Sequence, residues 1–502
     1  MVKAQGPWGA NNRSDPEYCY LLNSLDLLTF HIPFHTDHPG TTLQEFGAVI
    51  VFSKWIGDSL SGGWASVQRA VLSRPDDYLW VINLGINIVV SAAVFLTGWR
   101  LYAASGSLPA ALVLQFSLLL FHQTLLGLPR VSPEPFLIAI VFALMIPLIP
   151  PLLGEERDPL RASTAAGAVF GFGMITKVTF LPLAAVAILT GGRAERKRFV
   201  IASLATGFLF ALPIVPRVLK VLHWLALLLI HSEKYGRGPV GLPAPAEWAS
   251  HLKLLLHAEP FLFCVLPYYA LILVAMNFAT RDPFTLSVRR LAWVVSVVVL
   301  LQLAMTLKHY SARYMLPALV ICALLNAFLV LWLSSRALPV LWRRSLALAG
   351  AILMAGGAWS SGFAVEGWFK EAARNQTDVR TLAGVRDASG CVTIGYYSAS
   401  TPGYALAFGS EYTVGVHGKI LDELYPDFIF YDQYGGGFRT WSLAQRIVEV
   451  RRMVADGRCV LLQGAPSNKI PIRVEPDFSM ELIAEAGNQA IYRLLPGPGA
   501  IQ

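Results

Sequence analysis

Four short clusters carry side chains able to do chemistry. The first is Ser14-Asp15-Pro16-Glu17-Tyr18. Its two carboxylates could take a proton from an acceptor hydroxyl, or hold a divalent cation against a phosphate. The same residues read as a helix start, with Ser14 and Glu17 as a capping box and proline in the first turn. Both readings can hold together, with Glu17 capping and Asp15 doing chemistry. The second cluster is His35-Thr36-Asp37-His38-Pro39-Gly40, which is either a polar turn or a set of metal ligands. The third is Arg130-Val131-Ser132-Pro133-Glu134-Pro135. Its prolines punctuate a helix start, and Arg130 and Glu134 could face a cavity. The fourth, Lys308-His309-Tyr310-Ser311-Ala312-Arg313-Tyr314, is either an interfacial belt of aromatic and basic residues or a clamp donating charge-assisted hydrogen bonds to a phosphate.

The elements that position these clusters are membrane helices. Of the 502 residues 55% are hydrophobic and 14% charged, against about 25% charged in soluble proteins. The deficit falls between residues 78 and 362, where apolar runs approach the roughly 20 residues of a bilayer-spanning helix. Later composition is ordinary. The expected fold is therefore a polytopic α-helical membrane domain with a C-terminal soluble α/β domain. Residues 1–77 are expected to form an outer-face loop with surface helices and the acidic motif, 78–362 the transmembrane domain, and 363–502 the extracytoplasmic α/β domain. The net charge of +8 sits largely in short loops, where it orients the chain. Nucleic acid is not an expected partner.

Crossings are expected at residues 78–100, 109–127, 136–153, 199–215, 260–279, 291–307, 314–333 and 346–362, with 218–230 lying in the interface plane. Residues 163–191 have basic flanks at both ends and are too short for two full crossings. A hairpin of two short helices fits, bent near Gly171, Gly173, Lys177 and Pro182. A mid-membrane lysine is costly unless it faces a wet or charged cavity, and broken helices are tolerated where they line one. Placing Arg100, Arg289, Arg290, Arg343 and Arg344 inside puts both residues 1–77 and the tail outside. That parity favours a membrane helix preceding this chain over unaided translocation of residues 1–77.

In the tail, strands are expected at 392–397, 428–431 and 460–462, and helices from Thr401-Pro402 and over 442–454. A closing hairpin joins 480–483 to 490–494 through Gly487-Asn488. No G-x-G-x-x-G follows a strand, so no nucleotide site is expected. Cys391 and Cys459 each open a strand, and a disulfide between them is feasible if the tail lies outside the cytoplasm.

In their order, these features resemble the GT-C superfamily of membrane glycosyltransferases, in particular the group of the lipid A aminoarabinose transferase and the protein O-mannosyltransferases. The matching stretches are Asp15 to Tyr20 with His38-Pro39, the Pro133-Glu134 loop, Gly167 to Ile175-Thr176-Lys177, and His309 to Pro317 with Arg313-Tyr314. The resemblance implies a polyprenyl-phosphate-linked sugar donor and chemistry on the outer face. It implies that Asp15 is the catalytic carboxylate with Glu17 as its acidic companion, and that Lys177 and Arg313 neighbour the donor phosphate. His309 and Arg130 join the expected phosphate-binding set, and Glu134 and His38 are further pocket candidates. The acceptor would be a lipid, a glycan or a protein. No organic cofactor is expected, and a divalent cation is left open. The expected location is a bacterial inner membrane. Two rival readings remain. One is a transporter or flippase of a lipid-linked glycan, since broken helices and a buried lysine occur there too. The other is a non-catalytic membrane partner that binds protein through its tail.

Overall fold

The computed structural model describes residues 8, 14–37, 40–62, 65–156, 158–233, 236, 238–335, 338–397, 399–432, 436–466 and 478–497. In chain order the helices are α1 (Ser14–Leu28), α2 (Thr41–Gly62), α3 (Val67–Ser73), α4 (Pro75–Ser105), α5 (Leu108–Phe116), α6 (His122–Leu126), α7 (Pro133–Leu153), α8 (Pro159–Thr176), α9 (Arg193–Ala211), α10 (Val218–Ile230), α11 (Pro245–Ala258), α12 (Pro260–Ala275), α13 (Pro283–Lys308), α14 (Leu316–Ser334), α15 (Val340–Ser389), α16 (Pro402–Glu411), α17 (Gly418–Leu424) and α18 (Ile447–Ala455). Tight 3-10 segments join some of them, at Ser117–Leu120, Val178–Ile188, Leu212–Arg217 and Ala312–Met315. Contacts divide the chain into two compact units. One comprises Met1–His35, Gln44–Leu84 and Gly367–Gln502, and the other Thr36–Leu43 and Gly85–Glu366.

The second unit is a helical bundle. Among the described residues of the chain, six helices are long and apolar enough to cross a membrane, or seven if α11 and α12, bent by 95° at Glu259, count as one. Helices α7 and α14 are apolar on every side and form its centre, as all-round hydrophobicity requires. Helix α8 lies close against α9. A Cβ on Gly167 or Gly171, four residues apart on one face of α8, would run into the backbone carbonyls of Phe199 and Ser203. Small residues at that spacing let membrane helices approach through their backbones.

Several expected spans change form. Residues 109–127 are not one helix but α5, a 3-10 turn and α6. Residues 163–191 do break, at Lys177, into the 18-residue α8 and the 11-residue 3-10 segment. The crossing at 199–215 and the interfacial piece 218–230 run together as one stretch of 38 residues from Arg193 to Ile230. The last expected crossing does not stop at 362, since α15 continues unbroken for 50 residues to Ser389.

The first unit contains a six-stranded mixed sheet of β1 (Val392–Gly395), β2 (Phe430–Tyr431), β3 (Phe438–Arg439), β4 (Val460–Gly464), β5 (Phe478–Ala486) and β6 (Gln489–Pro496), in the order β3-β2-β1-β4-β6-β5. β1 pairs in parallel with both β2 and β4, with Val392 opposite Val460 and Ile394 opposite Leu462. Side chains alternate across the pleat. Val460 and Leu462 join Ile394, Val450 and Val454 on one face, while Leu461 meets Leu382 of α15 and Ile491 on the other. Covering on both faces explains why β4 is buried throughout. Cys391 and Cys459, one residue ahead of the paired Val392 and Val460, form a disulfide with 4.8 Å between their Cα atoms. The expected closing hairpin is β5–β6, whereas the helix expected from 442 begins only at Ile447.

The N-terminal segment belongs to this same unit rather than standing apart as a surface loop. Helix α1 packs on α16, where Gly409 leaves space for the backbone of Tyr18. Leu21, Leu22 and Leu25 of α1 are fully buried. Polar ties fix the join. Asn23 donates to the Tyr412 carbonyl at 3.2 Å and accepts from the Phe34 and His35 amides. His417 Nε2 lies 3.0 Å from Asp26 Oδ1, with both side chains buried.

Candidate active site

Glu134, Lys177 and Arg313 are far apart in sequence, and the bundle brings them together. Glu134 stands in the first turn of α7, behind the N-cap Ser132 and between two prolines that suit a helix start. That end of a helix favours a carboxylate. Lys177 is the residue at which α8 ends, with extended backbone (φ −164°, ψ 135°). The break there depends on Gly173, because a Cβ at that position would strike the ring of Phe180, which folds back from the 3-10 segment. Arg313 lies in the 3-10 turn Ala312–Met315 that leads into α14.

The geometry is a carboxylate shared by two cations. Lys177 Nζ donates to Glu134 Oε1 at 2.5 Å, and Arg313 Nε lies 3.3 Å from the same oxygen. The ring of Tyr314 faces Lys177 Nζ at 4.9 Å, a cation–π arrangement. Gln302 Nε2 donates to the Tyr314 carbonyl at 2.6 Å. The hydroxyls of Thr42 and Thr176 meet at 2.6 Å next to Lys177 in the chain. Both cations thus meet on one carboxylate oxygen. Lys177 and Glu134 are almost fully buried, but the Arg313 side chain is 36% exposed.

The remaining expected residues lie on several elements. His309 follows α13, and both its ring nitrogens lie 2.9 Å from carbonyl oxygens, Nδ1 from that of Glu233 and Nε2 from that of Leu228. Burial lowers its pKa, while the two carbonyls favour the protonated ring. A neutral ring can donate to only one of them. Lys308 donates to the carbonyls of Leu228 and Leu229. Together they cap the C-terminal turn of α10, where a helix has unpaired carbonyls and favours cations. Arg130 lies in the turn between α6 and α7, its amide bonded to the Gly127 carbonyl at 3.0 Å.

Asp15 and Glu17 belong to the other compact unit. Asp15 is exposed and has extended dihedrals (φ −104°, ψ 120°), so helical geometry begins at Pro16 and the cap position is Asp15 itself. Glu17 is fully buried. The Ser14 side chain and His38 lie outside the described residues. His35 is buried edge-on to the rings of Tyr20 and Tyr412, at 5.2 and 5.0 Å, so aromatic packing occupies it. Among the described residues no three His, Cys, Asp or Glu side chains gather as a metal site.

The central role of Glu134, the Thr42–Thr176 contact and the Gln302 brace were not read from sequence. A glutamine inside the apolar run of α13 was the available signal, because polar groups at membrane depth need partners.

No protein-family profile and no curated protein matches the chain. Solved structures do. The structure resembles that of ArnT from Cupriavidus metallidurans bound to undecaprenyl phosphate, with a TM-score of 0.50 and 10% sequence identity over 95% of this chain and 93% of that one. The same protein in its apo state gives a TM-score of 0.46 at 12% identity, over 89% and 87%. At such identity the likeness is one of fold: membrane helices followed by a small mixed-sheet domain.

Proposed function

We propose that this chain is a membrane glycosyltransferase that takes a sugar from a polyprenyl-phosphate-linked donor and transfers it on the outer face of the membrane. The observation that carries the reading is the meeting of Lys177 and Arg313 on the buried Glu134 at a helix break. The fold likeness to a protein crystallised with undecaprenyl phosphate supports it. Arg313, the accessible cation, meets the donor phosphate. Lys177 positions Glu134 and adds to the local positive potential. Glu134 holds both cations in place.

In the reaction the acceptor hydroxyl attacks the anomeric carbon, and the bond from that carbon to the phosphate oxygen breaks. The polyprenyl phosphate departs with the electron pair, stabilised by preorganised cations. The hydroxyl proton passes to the Asp15 carboxylate, which is exposed ahead of α1. Glu17 is its acidic companion. The Cys391–Cys459 disulfide supports an extracytoplasmic tail, since such bonds persist in oxidising compartments. The membrane is a bacterial inner membrane, and the acceptor is a lipid, a glycan or a protein.

The test uses membranes supplied with labelled polyprenyl-phosphate sugar. Asp15→Asn, at normal expression, loses roughly 10²–10⁴-fold in transfer rate. Arg313→Gln weakens donor binding. Unchanged transfer in Asp15→Asn would remove its role as base. Movement of the lipid-linked sugar across the membrane with no glycan product would replace the reading with that of a flippase.

A further inference from the structure

A cavity lies in the helical bundle, away from the Glu134 cluster. It measures about 960 Å³ and runs between α5, α12, α14 and α15. Its walls are apolar, including Phe116, Leu329, Val330 and Met354. One end is marked by Arg343 and Arg344 with Ser334. Arg313 precedes α14, and Ser334 is the last residue of that 19-residue helix. At 1.5 Å per residue the two sites stand roughly 28 Å apart along α14, close to the thickness of a hydrocarbon core. The cavity's basic end therefore sits at the membrane face opposite the Glu134 cluster.

On α15 the cavity lining extends from Arg343 to Ala355, roughly 18 Å along the helix axis. Helix α15 stands against α12 at Gly350 and Gly356, where a Cβ would press on Tyr268 and Phe261, and Gly350 and Tyr268 also line the cavity. The two arginines fall in the first turns of α15, the positive end of the helix, where a further positive charge is unfavourable. Among the described residues no ion pair or side-chain hydrogen bond engages either guanidinium. An anion there would be favoured by both side chains and by the helix end, and the apolar groove beyond would accept a hydrocarbon chain.

We infer that this groove binds one anionic glycerophospholipid of the membrane leaflet opposite the Glu134 cluster, with its phosphate on Arg343 and Arg344 and an acyl chain along α15. Basic pockets between membrane helices recognise anionic headgroups in this way. The inference does not rest on the glycosyltransferase reading.

Full-length protein purified in detergent is loaded with phosphatidylglycerol or phosphatidylcholine and read by native mass spectrometry. Phosphatidylglycerol remains bound and phosphatidylcholine does not. Arg343→Gln combined with Arg344→Gln lowers retention by roughly tenfold or more. Ala351→Trp, which fills the groove and keeps the charges, also lowers it. Equal retention of the two lipids overturns the inference, as does wild-type retention in the arginine variant. Retention that survives Ala351→Trp overturns the groove and leaves only surface charge. Displacement of phosphatidylglycerol by undecaprenyl phosphate overturns the choice of lipid. The wild-type comparisons stand even if a variant fails to fold.

Discussion

Replacing Glu134 by glutamine keeps the side chain's shape and deletes its charge. The carboxylate is 5% exposed and faces an ammonium that is 2% exposed. Removing one member of a buried pair costs about 3–5 kcal/mol. Lysine can relieve part of this by releasing its proton, so the cost falls near the lower end, about 3 kcal/mol. Arg313 is 36% exposed, and solvent screening limits its share to about 1 kcal/mol or less. Lys177→Met alone leaves Glu134 with Arg313 and costs slightly less than Glu134→Gln. The double variant buries two neutral groups. Its loss is smaller than the sum of the single losses by about 2 kcal/mol. The assay is the thermal unfolding midpoint of the purified full-length protein, followed by tryptophan fluorescence. At about 2 °C per kcal/mol in a domain of this size, the Glu134→Gln midpoint falls by about 6 °C. Strictly additive losses, or a shift within error for Glu134→Gln, would refute the argument that the pair is a coupled buried unit.

Three further outcomes follow from the geometry. Burial raises Glu411 from its ordinary 4.5 to about 8, with Asp432 adding to the shift and Arg439 opposing it. A raised pKa means that its contribution is fully present below about 4.5 and is lost as pH rises through 8, so the wild type melts lower at pH 8.5 than at pH 6. Glu411→Gln flattens that slope by at most about 1.4 kcal/mol per pH unit, and identical melting profiles would contradict it. The Cys391–Cys459 bond closes a loop of sequence separation 68. Its loss in the double serine variant costs about 4 kcal/mol in the chain-entropy picture, read as an earlier unfolding transition that reducing agent reproduces in the wild type. Gly171→Val pushes α8 off the Ser203 carbonyl of α9 and costs on the order of 2–3 kcal/mol, whereas a midpoint equal to wild type would show that the helices can separate freely.

Much of the architecture was legible as composition and period. Apolar length marked α4, α7, α13 and α14 near their true positions, because a bilayer imposes that length on any crossing helix. Basic flanks on a run too short for two crossings pointed to a bend near Gly171, Gly173, Lys177 and Pro182, and the break falls at Lys177. Short apolar runs opened by Cys391 and Cys459 foretold paired strands. Boundaries set by environment were less legible. The composition change near 362 marks where α15 leaves apolar surroundings, and the helix itself continues to Ser389. The leucines of α1 announced a buried face, but not that α16 and Tyr412 would cover it.

The sequence by itself determined that this is a membrane chain with a broken span and a soluble tail. Those properties follow from local composition, which each segment carries alone. Only the tertiary structure decided that Glu134 gathers Lys177 and Arg313. It also turned His309 and Lys308 toward the end of α10, and joined the acidic Asp15 helix to the tail in one unit. Such pairings depend on which helices lie side by side. Hydropathy does not encode that choice, because a bilayer makes every apolar face equally acceptable until close packing and buried charge discriminate between them.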